Sequence, residues 1–463
     1  MKKKYFQTMM ALGATLAGGL LLAGSAAAGP QIDFGDNGYL QLDVKFQGIL
    51  DNTDFGSGQD GEGSRMDADL RRARIVFTGM FDETWGAKFQ TCAGTSATRN
   101  FGGGGYELAK NNSKTNSQIR LTDGYLIGMF NDMLNIKLGL TKIPLTRANL
   151  DECFAPLSHE RSSFVYSPYG TDATKNSRDM GLVATGSFID NHLKYFAGIM
   201  EGREGAASFY NPFVDKTFVT SAEPESNLEY VARLHYSFLD PETSASAGGY
   251  KGTYLGKKGK VLTLGAAGAY EADAAYKNTT PAGAMGTPGF FLSQVNGSET
   301  VDYTAWTADV FFEYPFANNG VLTATALYLD VDFDDAYLTT FAPADLNTIV
   351  GGATGQRDGY YGKVGYVLPL TVGEKGKIQP FARYEEWDIA SLLGVRNQTV
   401  EQWGVGLNYY VKGNDRIRFT LEYYRTNYDK PTDLADYTDQ TAPQPHDLTD
   451  SYDTMTAMFM VSF

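Results

Sequence analysis

The sequence predicts an all-β protein, a transmembrane antiparallel β-barrel of about sixteen strands. Three observations predict it. Apolar and polar residues alternate with a period of two in segment after segment, from Leu40 to the C-terminus. The connections between those segments alternate between short and long. Aromatic residues make up 13% of the chain, with 29 Tyr and 28 Phe, although the mean hydropathy is only −0.28. Alternating strands average out to mild hydropathy, and Tyr and Trp suit the two interfaces of a bilayer.

The first strand reads Tyr39-Leu-Gln-Leu-Asp-Val-Lys-Phe-Gln47, with Leu40, Leu42, Val44 and Phe46 on one side and Gln41, Asp43, Lys45 and Gln47 on the other. The same pattern marks Leu228-Glu-Tyr-Val-Ala-Arg-Leu-His-Tyr236, Trp306 to Tyr314, Trp403 to Tyr409 and Ile417 to Tyr423. Strands are expected at 39–49, 68–81, 87–93, 117–130, 136–145, 179–188, 192–200, 227–238, 260–270, 301–314, 321–330, 359–369, 377–386, 398–410, 416–424 and 453–463. The polar sides carry Gly, Gln and charges, which suits a watery lumen better than a dry core. The last strand, Met455 to Phe463, is one-sided, and a closed barrel supplies its partner in the first strand. Long, polar connections are expected at 50–66, 94–116, 146–177, 201–226, 271–300, 331–357, 387–397 and 425–452. One stretch, 239–258, sits where a short turn belongs, and the pattern gives no account of it.

Residues 1–28 read as a secretory signal peptide, and 29–463 as the barrel domain. Lys2 to Lys4 precede an apolar run ending in Leu20-Leu-Leu22, and Ala26-Ala-Ala28 supplies a small-residue cleavage point. No later stretch approaches about 18 consecutive apolar residues, so spanning helices are not expected. A net charge of −15 and a pI near 4.8 exclude a general nucleic-acid binder. The only two cysteines, Cys92 and Cys153, exclude a disulfide scaffold, and no Cys-x-x-Cys-His attaches haem to this chain. The four His, at 159, 192, 235 and 446, lack metal-type spacing, and no Gly-x-Ser-x-Gly elbow is present. Neither an enzyme, a cofactor nor a resident metal is therefore expected.

Several segments resemble the phosphate-selective porin O/P family of bacterial outer-membrane porins. They are Asp69-Leu-Arg-Arg-Ala-Arg74, Asp123-Gly-Tyr-Leu126, Gly139-Leu-Thr-Lys-Ile-Pro-Leu145 and His159-Glu-Arg-Ser162, followed by Ser177-Arg-Asp-Met-Gly181, Gln379 to Glu385 and Gly406 to Tyr410. The terminal Phe463 resembles the ending typical of outer-membrane proteins. The resemblance implies a sixteen-stranded barrel, usually a homotrimer, whose third loop folds into the pore and narrows it. It also implies an outer-membrane location and small hydrophilic or anionic solutes.

Alternation assigns the pore walls. Lys45, Arg72, Arg74, Lys88, Arg120, Lys137, Arg233, Arg383, Arg416 and Arg418 turn inward, because a charge facing lipid at the midplane costs about 2–4 kcal/mol. Inward carboxylates (Asp43, Asp179, Glu229, Asp309, Glu313, Glu385, Glu422) offer these cations partners, so a salt-laced lumen and an anion-selective one are both open readings. The constriction loop is expected from Arg147 to Lys175, with Asp151, Glu152, His159, Glu160, Arg161, Tyr166 and Tyr169. The pore-lining candidates are Arg72, Arg74, Lys88, Arg120, Lys142, Arg147, Arg161 and Arg383. Loop charges could set a transverse field against the basic wall or merely latch the loop to it. Cys92 ends a strand on the polar face and Cys153 lies in the loop, so a disulfide pinning the loop is expected. The competing function is a barrel sheathing a multihaem cytochrome partner in an electron conduit.

Overall fold

The computed structural model describes residues 29–463, apart from 36, 58–62, 95–118, 151–153, 163, 166–177, 203–205, 212–215, 222–226, 243–249, 277–278, 283–291, 296–298, 335–355, 393–394 and 433–448. The expected leader, 1–28, lies outside the described residues. Sixteen strands form one closed antiparallel barrel, and a short extra strand, Gln31–Phe34, folds back to pair with the first of them. In chain order they are β1 Gly38–Ser57, β2 Gly63–Met80, β3 Trp85–Ala93, β4 Arg120–Asn131, β5 Leu134–Lys142, β6 Arg178–Phe188, β7 Leu193–Met200 and β8 Glu229–Ser237. The second half comprises β9 Val261–Tyr276, β10 Thr300–Pro315, β11 Val321–Asp332, β12 Arg357–Val367, β13 Lys377–Leu392, β14 Val395–Tyr410, β15 Ile417–Thr432 and β16 Thr449–Ser462. Each pairs with its neighbour in sequence, and β1 pairs with β16 from Lys45↔Ser462 to Thr53↔Thr454. The expected strands are all present. Four run well past their expected ends, β1 to Ser57, β9 to Tyr276, β13 to Leu392 and β15 to Thr432. Small hairpins (Ala206–Asn211 with Lys216–Ser221, and Thr279–Ala282 with Leu292–Val295) lie within two expected long connections.

The two faces separate as the alternation requires. In β8, Tyr230, Ala232, Leu234 and Tyr236 are exposed, whereas Glu229, Val231, Arg233, His235 and Ser237 are buried. The exposed side is thus the oily one, and the buried side carries the charges, the inverse of a soluble protein. Aromatic pairs gather near both ends of that oily surface. Trp85 meets Phe130 and Phe188 meets Tyr195 towards the short connections. Trp306 meets Tyr328, Tyr360 meets Tyr384 and Trp403 meets Tyr423 towards the long ones. Two such belts match the two interfaces of a bilayer. At the seam, Gly48 allows the Phe459 ring to lie against the backbone, since a Cβ there would come within 2.2 Å of that ring. Phe46 packs on the same ring at 5.3 Å.

Candidate pore constriction

After β5 the chain turns at Ile143-Pro-Leu145 into a single helical turn, Arg147–Leu150. Thr146 caps it, accepting from the Asn149 N–H at 3.0 Å and donating to the Val165 carbonyl at 2.9 Å. Asn149 also donates to the Ile143 carbonyl, so the loop is closed at its base by its own bonds. Ile143, Leu145, Phe164 and Val165 are fully or almost fully buried.

The loop's outer stretch is held by side chains from the polar faces of many strands. Arg357 of β12 donates to the Phe164 carbonyl at 2.9 Å, and Lys363 to Ser158 at 2.8 Å. From β13, Glu385 accepts from the Ser162 hydroxyl. Asn408 of β14 donates to the Leu157 carbonyl at 2.7 Å. Arg418 of β15 donates to the Pro156 carbonyl. Glu422 accepts from the His159 N–H at 2.9 Å and faces its Nδ1 at 2.8 Å, while the imidazole stacks on Tyr424. Farther along the same arc, past β16, Gln47 of β1 reaches the His159 carbonyl, and Arg71 and Arg72 of β2 reach Glu160 at 3.2 and 2.6 Å. Arg233 of β8 donates to the Leu145 carbonyl at 3.2 Å. Asp151, Glu152, Cys153, Tyr166 and Tyr169 of the expected loop lie outside the described residues.

Most of the expected arginines are engaged by acids or carbonyls. Arg383 bonds Glu385 and Glu422, Arg233 pairs with Asp309 at 2.7 Å, and Arg178 with Asp123 at 3.0 Å. Arg161 is buried and donates to the Ala148 carbonyl at 2.9 Å. Arg147 is buried against Glu242, sandwiched near the Tyr250 and Phe311 rings at 4.7 and 4.2 Å. Lys142 donates to the Leu150 carbonyl at 3.2 Å. Here the charges act as latches. Burial alone would raise the Glu160 carboxyl, but Arg72, Arg71 and Arg161 outweigh it and hold the group well below the usual carboxylate range. Arg147 does the same for buried Glu242.

Four other lysines are placed differently. Lys45, Lys88, Lys137 and Lys194 occupy the inward positions of β1, β3, β5 and β7. Lys88 and Lys137 flank the Tyr125 ring at 5.9 and 5.5 Å. Lys45 and Arg74 approach the Phe154 ring at 5.9 and 5.4 Å. Lys194 lies over Phe196 at 5.6 Å. The nearest acid to Lys88 is Asp123 at 3.8 Å, already bonded by Arg178. Lys45 feels the charges of Lys88, Arg74 and Lys251 with Asp43 offsetting them in part, and Lys194 those of Lys137 and Lys258 with Glu242 offsetting them in part. One half of the wall therefore sets a row of lysines over aromatic faces, with Asp43, Asp123 and Glu242 as the acids beside it. Arg120 stands opposite Cys92 in the ladder, and its side chain is not among those described. Cys92 is a half-buried free thiol, and Cys153, its expected partner, lies outside the described residues.

Sequence reasoning missed Glu242, Tyr250, Thr253 and Tyr254, all buried next to this loop. They belong to the 239–258 stretch, whose abnormal length for a short-turn position was the available signal.

A profile described as "Phosphate-selective porin O and P" matches residues 41–463. No curated protein matches. Among solved structures, the anion-selective porin from Comamonas acidovorans aligns over 92% of this chain and 100% of its own, at 10% identity and a TM-score of 0.51. The outer membrane channel DcaP of Acinetobacter baumannii aligns over 94% and 100%, at 12% identity and 0.49. A loop-deletion form of OmpT, an outer membrane protein of Vibrio cholerae, aligns over 92% and 100%, at 10% identity and 0.49. The likeness to the Comamonas porin describes the fold.

Proposed function

We propose a passive channel, because this chain belongs to the phosphate-selective porin O and P family. It is a bacterial outer-membrane porin for small hydrophilic solutes, anions among them. In this reading, residues 1–28 are removed on export and the rest inserts as a homotrimer. The loop between β5 and β6 folds into the lumen and narrows it, which is supported by its bonds to the arc of strands that faces β5 and β6 across the barrel, β12, β14, β15 and β1.

One observation carries the charge preference: the lysine stripe of Lys45, Lys88, Lys137 and Lys194 over aromatic rings, beside a loop whose Arg147 and Arg161 are engaged by an acid and a carbonyl. Same-sign neighbours in a narrow, low-dielectric passage focus a field that concentrates anions. Solutes move down their own gradient, and the protein contributes shape and potential. The contacts across the barrel count against a lumen wide enough for a multihaem partner.

The test is single-channel recording in planar bilayers with a salt gradient. The reading expects a reversal potential on the anion side and a chloride current reduced by added phosphate. A cation-side reversal potential, with no effect of phosphate, refutes it.

A further inference from the structure

We infer that the connection from β8 to β9 is a second jaw of the constriction, entering from the short-connection end and clamping the β5–β6 loop in place. The inference rests on the porin reading above. The other connections at that end are tight, from Asn131–Leu134 to, at the longest, Val367–Lys377. This one runs from Ser237 to Val261, although the strands it joins are already paired close to its ends. Phe238 N–H donates to the Leu262 carbonyl at 2.7 Å and Asp240 N–H to the Lys260 carbonyl at 2.8 Å. A two-residue turn would close that hairpin. The extra length has another use.

The described part turns onto the barrel's polar face. Tyr250 Oη lies 2.6 Å from His235 Nδ1. Glu313 of β10 accepts from the Thr253 hydroxyl at 2.8 Å and from the Tyr254 and Gly256 N–H groups at 2.9 Å each. From that anchor the segment meets the loop. Glu242 receives Arg147 and, at 2.8 Å, the Tyr254 hydroxyl. Gly252 N–H donates to the Ala155 carbonyl at 2.8 Å. A Cβ on Gly252 would lie 2.4 Å from the Leu157 nitrogen, so backbone meets backbone with no room between. Lys251 bonds Asp415 in the β14–β15 turn, tying the segment to a third part of the wall.

Arg147 and Glu242 are 1% and 0% exposed in their side chains. A charge pair so far from water is tolerated only with fixed geometry and complete hydrogen bonding. Glu242 and Glu313 are therefore positioning residues: they hold the loop that shapes the passage without touching the solute. Without the clamp the stretch around Arg147 and Ala155 keeps only its bonds to the strands and to its own base, and the passage would vary in width with it.

Two variants of the full-length channel test the clamp in planar bilayers. The first replaces residues 241–259 by Asn-Gly. Its single-channel conductance is expected to rise about twofold or more, because part of the obstruction is gone. A variant that migrates as a folded, heat-modifiable barrel with the parent's conductance overturns the inference. The second, Glu242→Gln, keeps the shape and the Tyr254 bond while removing the charge. It is expected to flicker at voltages where the parent is quiet, and a trace as steady as the parent's overturns the inference even if the first variant fails to fold. A parent that forms no channels sinks the porin reading itself. A conducting parent with unmoved variants sinks only the clamp.

Discussion

Replacing Glu160 by Gln removes one negative charge from the loop and leaves its volume intact. Arg72 and Arg71, at 2.6 and 3.2 Å, then lose their shared counter-charge. Both guanidiniums are nearly buried, so breaking this arrangement should destabilise the barrel by about 3–5 kcal/mol. The uncovered charge also acts on passing ions. A monovalent anion about 6 Å away gains about 0.7 kcal/mol at the dielectric constant of water and about 2.8 kcal/mol at an effective value of 20. That is a roughly threefold to hundredfold rise in local anion occupancy, reduced by salt over a screening length of about 10 Å at 0.1 M. The assay is the reversal potential under a tenfold KCl gradient, whose ideal anion limit is about 59 mV. Glu160→Gln should move the parent's value towards that limit. A value that stays put, or moves to the cation side, refutes the reasoning that the charge uncovered on Arg71 and Arg72 reaches ions in the passage.

Other expectations follow from the same contacts. Lys88→Glu combined with Lys137→Glu inverts part of the cationic stripe and should carry the reversal potential towards cations, by more than either change alone. Glu160 has a folded pKa held down by its arginines. Its stabilising contribution is therefore complete above the unfolded value of about 4.3 and is lost as pH falls through the lower folded value. Heat-modifiable migration should thus hold from pH 7 to 5 and fail on further acidification, with a flatter acid profile in Glu160→Gln. Leu264 is exposed on the oily face, so Leu264→Arg should cost about 2–4 kcal/mol in urea refolding into liposomes if it sits near the midplane. An unchanged midpoint would show that Leu264 does not meet lipid.

The sixteen strands were legible because one face must meet hydrocarbon and the other must not, which writes a strict two-residue period into the chain. The period fades where a strand leaves the bilayer. Asn52, Thr53 and Asp54 of β1, and Asn427, Tyr428 and Asp429 of β15, continue their strands without the lipid-facing oily member, so both strands seemed to stop early. The wall cations were placed by the same parity. Their partners were not, because Arg147 and Glu242 are 95 positions apart, on two connections that obey no period. The 239–258 stretch announced itself only by breaking the rhythm of turns, and its contacts could not be inferred without the barrel around it. That Arg72, Arg147, Arg161 and Lys363 latch the loop while Lys88 and Lys137 flank Tyr125 is a matter of reach and geometry that residue type alone does not encode.

The seam between β1 and β16 has a consequence for how the molecule comes into being. Gln47 touches Met458, 411 positions away, and Val44 and Phe463 exchange backbone hydrogen bonds across the same join. No cylinder exists until that most distant contact is made, and its closure entropy must be met before any reward arrives. Until then the growing sheet has two raw edges, each able to recruit a sister chain or to strand unbonded amides in hydrocarbon. Assembly should accordingly be slow and all-or-none, and it should depend on an escort that keeps the polypeptide unpaired until it reaches its bilayer.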